Sequence, residues 1–173
     1  MVYYPLNGSE SGGRIGPNFP FYDGPFPPAP PQAEDLQPYD EPVYGFFYQP
    51  GGLLVPAGGV IPFIGRPTAT RNLRLDAGEI TLPCAGSYMI SYNMTVPENY
   101  ALETDLYLTL NGAAVLGSLL RINKTGTSDS MASGGQAIVR AAVGAQLSLV
   151  TSNALNIGAG ETTLVSLALR RLD

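Results

Sequence analysis

The acidic pairs Glu34-Asp35 and Asp40-Glu41 have the carboxylate density that a hard cation such as calcium takes. They lack the alternating spacing of a calcium loop, so solvated charge in a connector is the expected state. There is no histidine, which removes Ser-His and Cys-His nucleophiles and most zinc sites together. Cys84 is the one cysteine. It fits a buried inert thiol or a bridge between chains, and it excludes a disulfide within the chain. Asn93-Met94-Thr95 and Asn123-Lys124-Thr125 match the glycosylation sequon, but without a secretion signal ahead of them they read as chance matches. Thr125, Thr127, Ser128, Ser130 and Ser133 would suit O-linked sugars or a plain polar loop, and Arg170-Arg171 a surface pair at a strand end. No paired carboxylates, phosphate loop or nucleophile constellation emerges. The expectation is a protein that is not an enzyme, with no cofactor and no metal.

Charge narrows the partners. The net charge of −5 is unevenly spread. Residues 1–43 hold six acids against Arg14, whereas residues 44–173 hold eight acids and eight bases. A neutral body with an acidic tail lacks the basic face that nucleic acid demands. The most apolar run, Gly51–Gly65, is broken by Gly and Pro and is too short to cross a bilayer. Met1-Val2-Tyr3-Tyr4-Pro5 has neither the basic start nor the apolar core of a secretion signal.

The elements that must position these residues are strands. Only 13% of residues are charged, Gly and Pro number 21 and 16, and no long amphipathic helix is patterned. From Gly86 to Val96, Tyr88, Ile90, Tyr92 and Met94 alternate with Ser87, Met89, Ser91, Asn93 and Thr95. That period of two predicts a half-buried interior strand, bounded by Pro83-Cys84-Ala85-Gly86 and Pro97. Further strands are expected at Tyr44–Gln49, Leu53–Val55, Val60–Ile64, Ile80–Leu82, Leu106–Leu110, Leu119–Ile122 and Thr163–Leu172. Asn111-Gly112 offers the two positive-φ positions of a type I′ hairpin turn. Gln136–Ala141 and Gln146–Thr151 are expected to pair across Val143-Gly144-Ala145, and Lys124–Gly135 to be a surface loop. Nine or ten short strands make an all-β sandwich over residues 44–173.

Residues 1–43 form a separate arm with 10 of the 16 prolines. Pro25-Phe26-Pro27-Pro28-Ala29-Pro30-Pro31 is patterned as a polyproline II rod. The arm lacks the aliphatic residues to offset its ordering entropy alone. It reads as a linker or, better given its aromatics, as a segment that orders by docking on another subunit. Fully extended it would reach about 140 Å.

Ile15-Gly16-Pro17-Asn18-Phe19-Pro20, followed by Pro25-Phe26-Pro27-Pro28, resembles the exosporium leader of the Bacillus collagen-like exosporium glycoproteins (the BclA type). The body resembles the C1q/TNF-like jelly-roll head of the same family. Tyr44-Gly45-Phe46-Phe47-Tyr48, Ala57-Gly58-Gly59-Val60-Ile61-Pro62-Phe63, Ile80–Tyr92, Leu110-Asn111-Gly112, Gly117-Ser118, Gly135–Val139 and Leu167-Ala168-Leu169 carry the likeness, with Gly86, Tyr88 and Ile90 standing where C1q domains have Gly-x-Tyr-x-Phe. The resemblance implies a ten-stranded jelly roll and a homotrimer with its first and last strands on the threefold axis. The interface candidates are then Tyr44, Phe46, Tyr48, Tyr88, Tyr92, Val165, Leu167 and Leu169, although strand-face residues of this kind suit an intrasubunit core equally. Cys84 is the candidate thiol between chains. The leader implies docking through Ile15, Gly16, Pro17, Phe19, Pro20, Phe21 and Phe26.

The family's collagen-like stalk is absent, since Gly8, Gly12, Gly13, Gly16 and Gly24 have no period of three. The arm is therefore tethered almost directly to the head. If it docks on the next trimer, the contact is head-to-tail and open, and a filament results. The expected function is a self-assembling structural subunit of a spore-surface layer or spore appendage, built from the mother-cell side. Its partners would be itself and a spore-coat or exosporium anchor protein, with no nucleic acid and no membrane. Two other readings are a trimeric recognition head that binds a ligand or host surface, and a phage capsid or fibre head.

Overall fold

The structure, a computed structural model, describes residues 42–70, 72–158 and 163–173. They belong to the second of the two units into which the chain divides, Asp40–Asp173. Among them there is no helix. In chain order the strands are β1 (Tyr44–Pro50), β2 (Leu53–Val55), β3 (Gly65–Ala69), β4 (Arg74–Asp76), β5 (Glu79–Thr81), β6 (Gly86–Val96) and β7 (Leu102–Leu110). They continue with β8 (Ala113–Ala114), β9 (Leu120–Lys124), β10 (Met131–Ala141), β11 (Gln146–Thr151), β12 (Leu155–Ile157) and β13 (Thr163–Arg171). One sheet runs β10-β6-β13-β1-β3; the other runs β4-β5-β11-β7-β8, with β9 also on β7. β2 and β12 form a small pair.

Alternation builds the core between the sheets. In β6, Tyr88, Ile90, Tyr92, Met94 and Val96 point inward and are buried, while Asn93 is exposed. Phe47 of β1, Val165, Leu167 and Leu169 of β13, and Leu106, Leu108, Leu147 and Leu149 of the facing sheet close against them. Removing this apolar surface from water is the main force holding the sheets together. The β7–β8 hairpin turns at Asn111 (φ 50°) and Gly112 (φ 78°), as the Asn-Gly pair requires.

Three expectations from the sequence are corrected. Gln136–Ala141 and Gln146–Thr151 do not pair with each other: β10 pairs with β6, and β11 lies between β5 and β7. The connection crosses from one sheet to the other, pinned where the Leu82 amide donates to Ala145 O and the Gly144 amide to Leu82 O. Lys124–Gly135 is not one loop. Lys124 is a buried end of β9 whose ammonium donates to Tyr100 O and Gly126 O, and β10 already begins at Met131. Val60–Ile64 is not a strand. Val60 makes one bridge to Val150 and Ile61 donates its amide to Leu149 O. Pro62 has no amide to extend that pairing, and the chain crosses over to pair with β1 from Gly65.

Candidate functional site: the outer face of the five-stranded sheet

The side chains that β1, β6, β10 and β13 turn away from the core assemble one continuous surface. Registers fix its rows. Gln136 lies beside Ser91, Ser91 beside Ala168, and Ala168 beside Phe46. The neighbouring outward row is Ile138, Met89, Arg170 and Tyr44. On β1, Tyr44 and Phe46 are 45% and 39% exposed, large values for aromatic rings on a sheet. Phe46 stacks on Tyr48, with ring centroids 6.4 Å apart and planes inclined by 26°.

Between the β1 aromatics and β10 the floor consists of Ser91, Asn93, Ser166 and Ala168, and these small side chains leave a valley of about 400 Å³. Tyr92 reaches the valley's edge from the core side. Its ring lies where a Cβ on Gly135 would come within 2.6 Å, so only glycine fits there. Its hydroxyl donates to Ser118 O, and burial raises its pKa. Ser91, Asn93 and Ser166 make no side-chain hydrogen bond among the described residues, although Ser166 is only 6% exposed.

The sheet is also one-sided in charge. Arg66, Arg140, Arg170 and Arg171 are the charged residues of its five strands, and none of those strands carries an acid. Arg140 and Arg170 are exposed and have no acidic partner among the described residues. At the end of the sheet, the Ser87 amide donates to Asp173 Oδ1 at 2.6 Å and lowers that carboxyl's pKa.

Of the interface candidates, Tyr44, Phe46 and Tyr48 stand on this outer face. Tyr88, Tyr92, Val165, Leu167 and Leu169 are 4% exposed or less and pack in the chain's own core. For these five the intrasubunit alternative describes the packing, because a side chain already covered has no area left for a second copy. Tyr88 is tied inward by its hydroxyl, which donates to Cys84 O; its pKa is raised by burial against that bond's lowering effect. Cys84 is a partly buried free thiol. Ile15, Gly16, Pro17, Phe19, Pro20, Phe21 and Phe26 lie outside the described residues. No three Cys, Asp or Glu side chains gather as a metal site among the described residues. Sequence reasoning placed Arg170 at the surface of the last strand but missed the β10 wall and Arg140, which only the β10–β6 register brings to this face.

No family model and no curated protein matches the sequence. Solved structures do match. The globular domain of zebrafish complement 1qA protein covers 77% of this chain and 98% of its own, with a TM-score of 0.57 and 12% identity. Murine APRIL at pH 8.0 covers 76% of this chain and all of its own, with a TM-score of 0.55 and 10% identity; at pH 5.0 the TM-score is 0.52. The fold is a C1q/TNF-like jelly roll. At these identities the likeness carries the fold alone, so the C1q/TNF-like head is read for function from its own surface.

Proposed function

We propose that the protein is a structural rather than catalytic subunit of a spore-surface layer or spore appendage, whose heads associate as trimers and whose N-terminal arms join one assembly to the next. The observation that carries this reading is a division within one chain. The five-stranded sheet presents exposed aromatic rings for contact between heads, while residues 1–43 carry six acids, one arginine and a proline-rich aromatic run without the aliphatic residues to fold alone. Such halves favour contact between copies, and an arm-to-head contact leaves a free arm and a free head at opposite ends. The leader-like Ile15-Gly16-Pro17-Asn18-Phe19-Pro20, followed by Pro25-Phe26-Pro27-Pro28, supplies the resemblance that points to the spore surface. Tyr44, Phe46 and Tyr48 on β1 are the head-to-head contact proposed for the trimer.

Negative-stain microscopy of the full-length chain and of a variant lacking residues 1–41 tests the assembly. The full chain is expected to form fibres and the truncated one only discrete particles. Fibres from the truncated chain would refute the role of the arm. Discrete full-length trimers that bind a glycan would make the protein a recognition head instead.

A further inference from the structure

At the end of the sandwich opposite Tyr44, the connection from β9 to β10 borders a cleft of about 260 Å³. Lys124, the last residue of β9, pairs with Leu102, and Met131, the first of β10, pairs with Val96, the last of β6. Tyr44 belongs to the other end: it lies beside Arg170, and Arg170 beside Met89 near the start of β6. No residue of β1 or β13 lines the cleft, so the head-to-head contact proposed through β1 does not draw on it. Its wall holds a buried cation. Lys124 is 7% exposed, and its ammonium donates to Tyr100 O at 2.5 Å and to Gly126 O at 2.6 Å. Both acceptors are neutral carbonyls. The third N–H has no partner and no acid pairs with the ammonium among the described residues. A cation withdrawn from water in this way calls for a counter-charge.

We propose that this cleft binds a singly charged, hydroxyl-rich carboxylate the size of one sugar ring, of the hexuronate kind, with its carboxylate on Lys124. Each part of the lining selects part of that chemistry. The ammonium is a compact point charge, suited to one carboxylate oxygen. Asp129 stands in the same cleft, where its Oδ2 accepts from Ser128 Oγ at 3.1 Å, and its charge repels a doubly charged phosphate or sulfate. Its other oxygen is available to a ligand hydroxyl. Thr125 and Ser130, whose hydroxyls make no hydrogen bond among the described residues, serve others. Met131 is the apolar member of the lining and offers a surface for ring C–H groups. The volume lies below the roughly 300–1,000 Å³ of pockets for larger ligands, which limits the occupant to a single ring. The frame is set in advance: two carbonyls hold Lys124, and the Asn99 amide donates to Thr127 O at 2.8 Å, so binding has little left to order. This site is independent of how the heads assemble, and its failure would leave the function proposed above standing.

Saturation-transfer NMR on the full-length chain tests this, because it reads binding whether or not the heads are assembled. Glucuronate is the probe, with glucose, acetate and inorganic phosphate as controls. Glucuronate is expected to bind at least tenfold more tightly than any of the three. Lys124→Met is expected to lose that preference over glucose. Ser130→Trp, which fills the cleft from an exposed position, is expected to abolish binding. Should the chain with Lys124→Met fail to fold, Ser130→Trp still decides the location. No binding of glucuronate, equal binding of glucose, acetate or phosphate, or binding that survives Ser130→Trp would overturn the site.

Discussion

Tyr92 ties three parts of the molecule together. It faces the core from β6, its ring occupies the space beside Gly135 in β10, and its hydroxyl is held by Ser118 O. The ring cannot swing aside without breaking that bond, and a buried carbonyl left unpaired is costly. Gly135→Ala is therefore expected to destabilise the fold by about 1–3 kcal/mol, the usual range for overpacking. Urea unfolding followed by circular dichroism checks it. An unchanged midpoint would mean that Tyr92 has room to move. Asp173 provides a second test. Its pKa in the folded chain is lowered chiefly by the Ser87 amide. A carboxyl whose folded pKa is depressed contributes stability above its unfolded value, and that contribution is lost as pH falls through the folded one. Wild type should thus lose stability on acidification below the ordinary value of 3.8 more steeply than Asp173→Asn, as thermal melts across the acid range would show. Parallel profiles would remove Asp173 from the linkage.

The β7–β8 hairpin shows how a local signal becomes an element. Both turn residues have positive φ, and Asn111 Oδ1 also accepts the Gln146 amide at 2.8 Å, which fixes the turn to β11. Gly112→Val puts a β-branched residue in left-handed backbone and should cost about 1–2 kcal/mol. Differential scanning calorimetry would register it as a lower melting temperature, and no change would argue against the turn geometry. This turn and β6 were legible because their information is local: two residues in one case, strict alternation in the other. The β10–β11 connection was not. Val143-Gly144-Ala145 marks a reversal, but whether a reversal stays in its sheet depends on Leu82, far upstream in the chain. Likewise Met131–Gly135 has the composition of a loop and becomes strand because β6 offers an eleven-residue partner and Tyr92 requires glycine opposite. The outer-face site was half legible. Tyr44, Phe46 and Tyr48 follow from alternation within β1, whereas the valley floor and its arginines come together only through the registers of three strands.

For the whole molecule the decisive fact is that the described residues close a core of their own. Among them, every member of the core cluster lies between Val43 and Leu169, drawn from both sheets and the β2–β12 pair. The first strand is held on both sides, by β13 along its length and by β3, and the Arg171 amide donates to Val43 O just ahead of it. A domain of this size buries most of its chain's surface unaided. Removing residues 1–41 should therefore leave one cooperative unfolding transition with a melting temperature within about 3 °C of the full chain, a shift that corresponds to about 1 kcal/mol at most. Calorimetry at low protein concentration, below the onset of assembly, makes the comparison fair, because association stabilises by mass action. A broad transition, or a fall of ten degrees or more, would mean that the arm completes the fold of the head. Near equality would leave assembly as the property that separates the full chain from the truncated one.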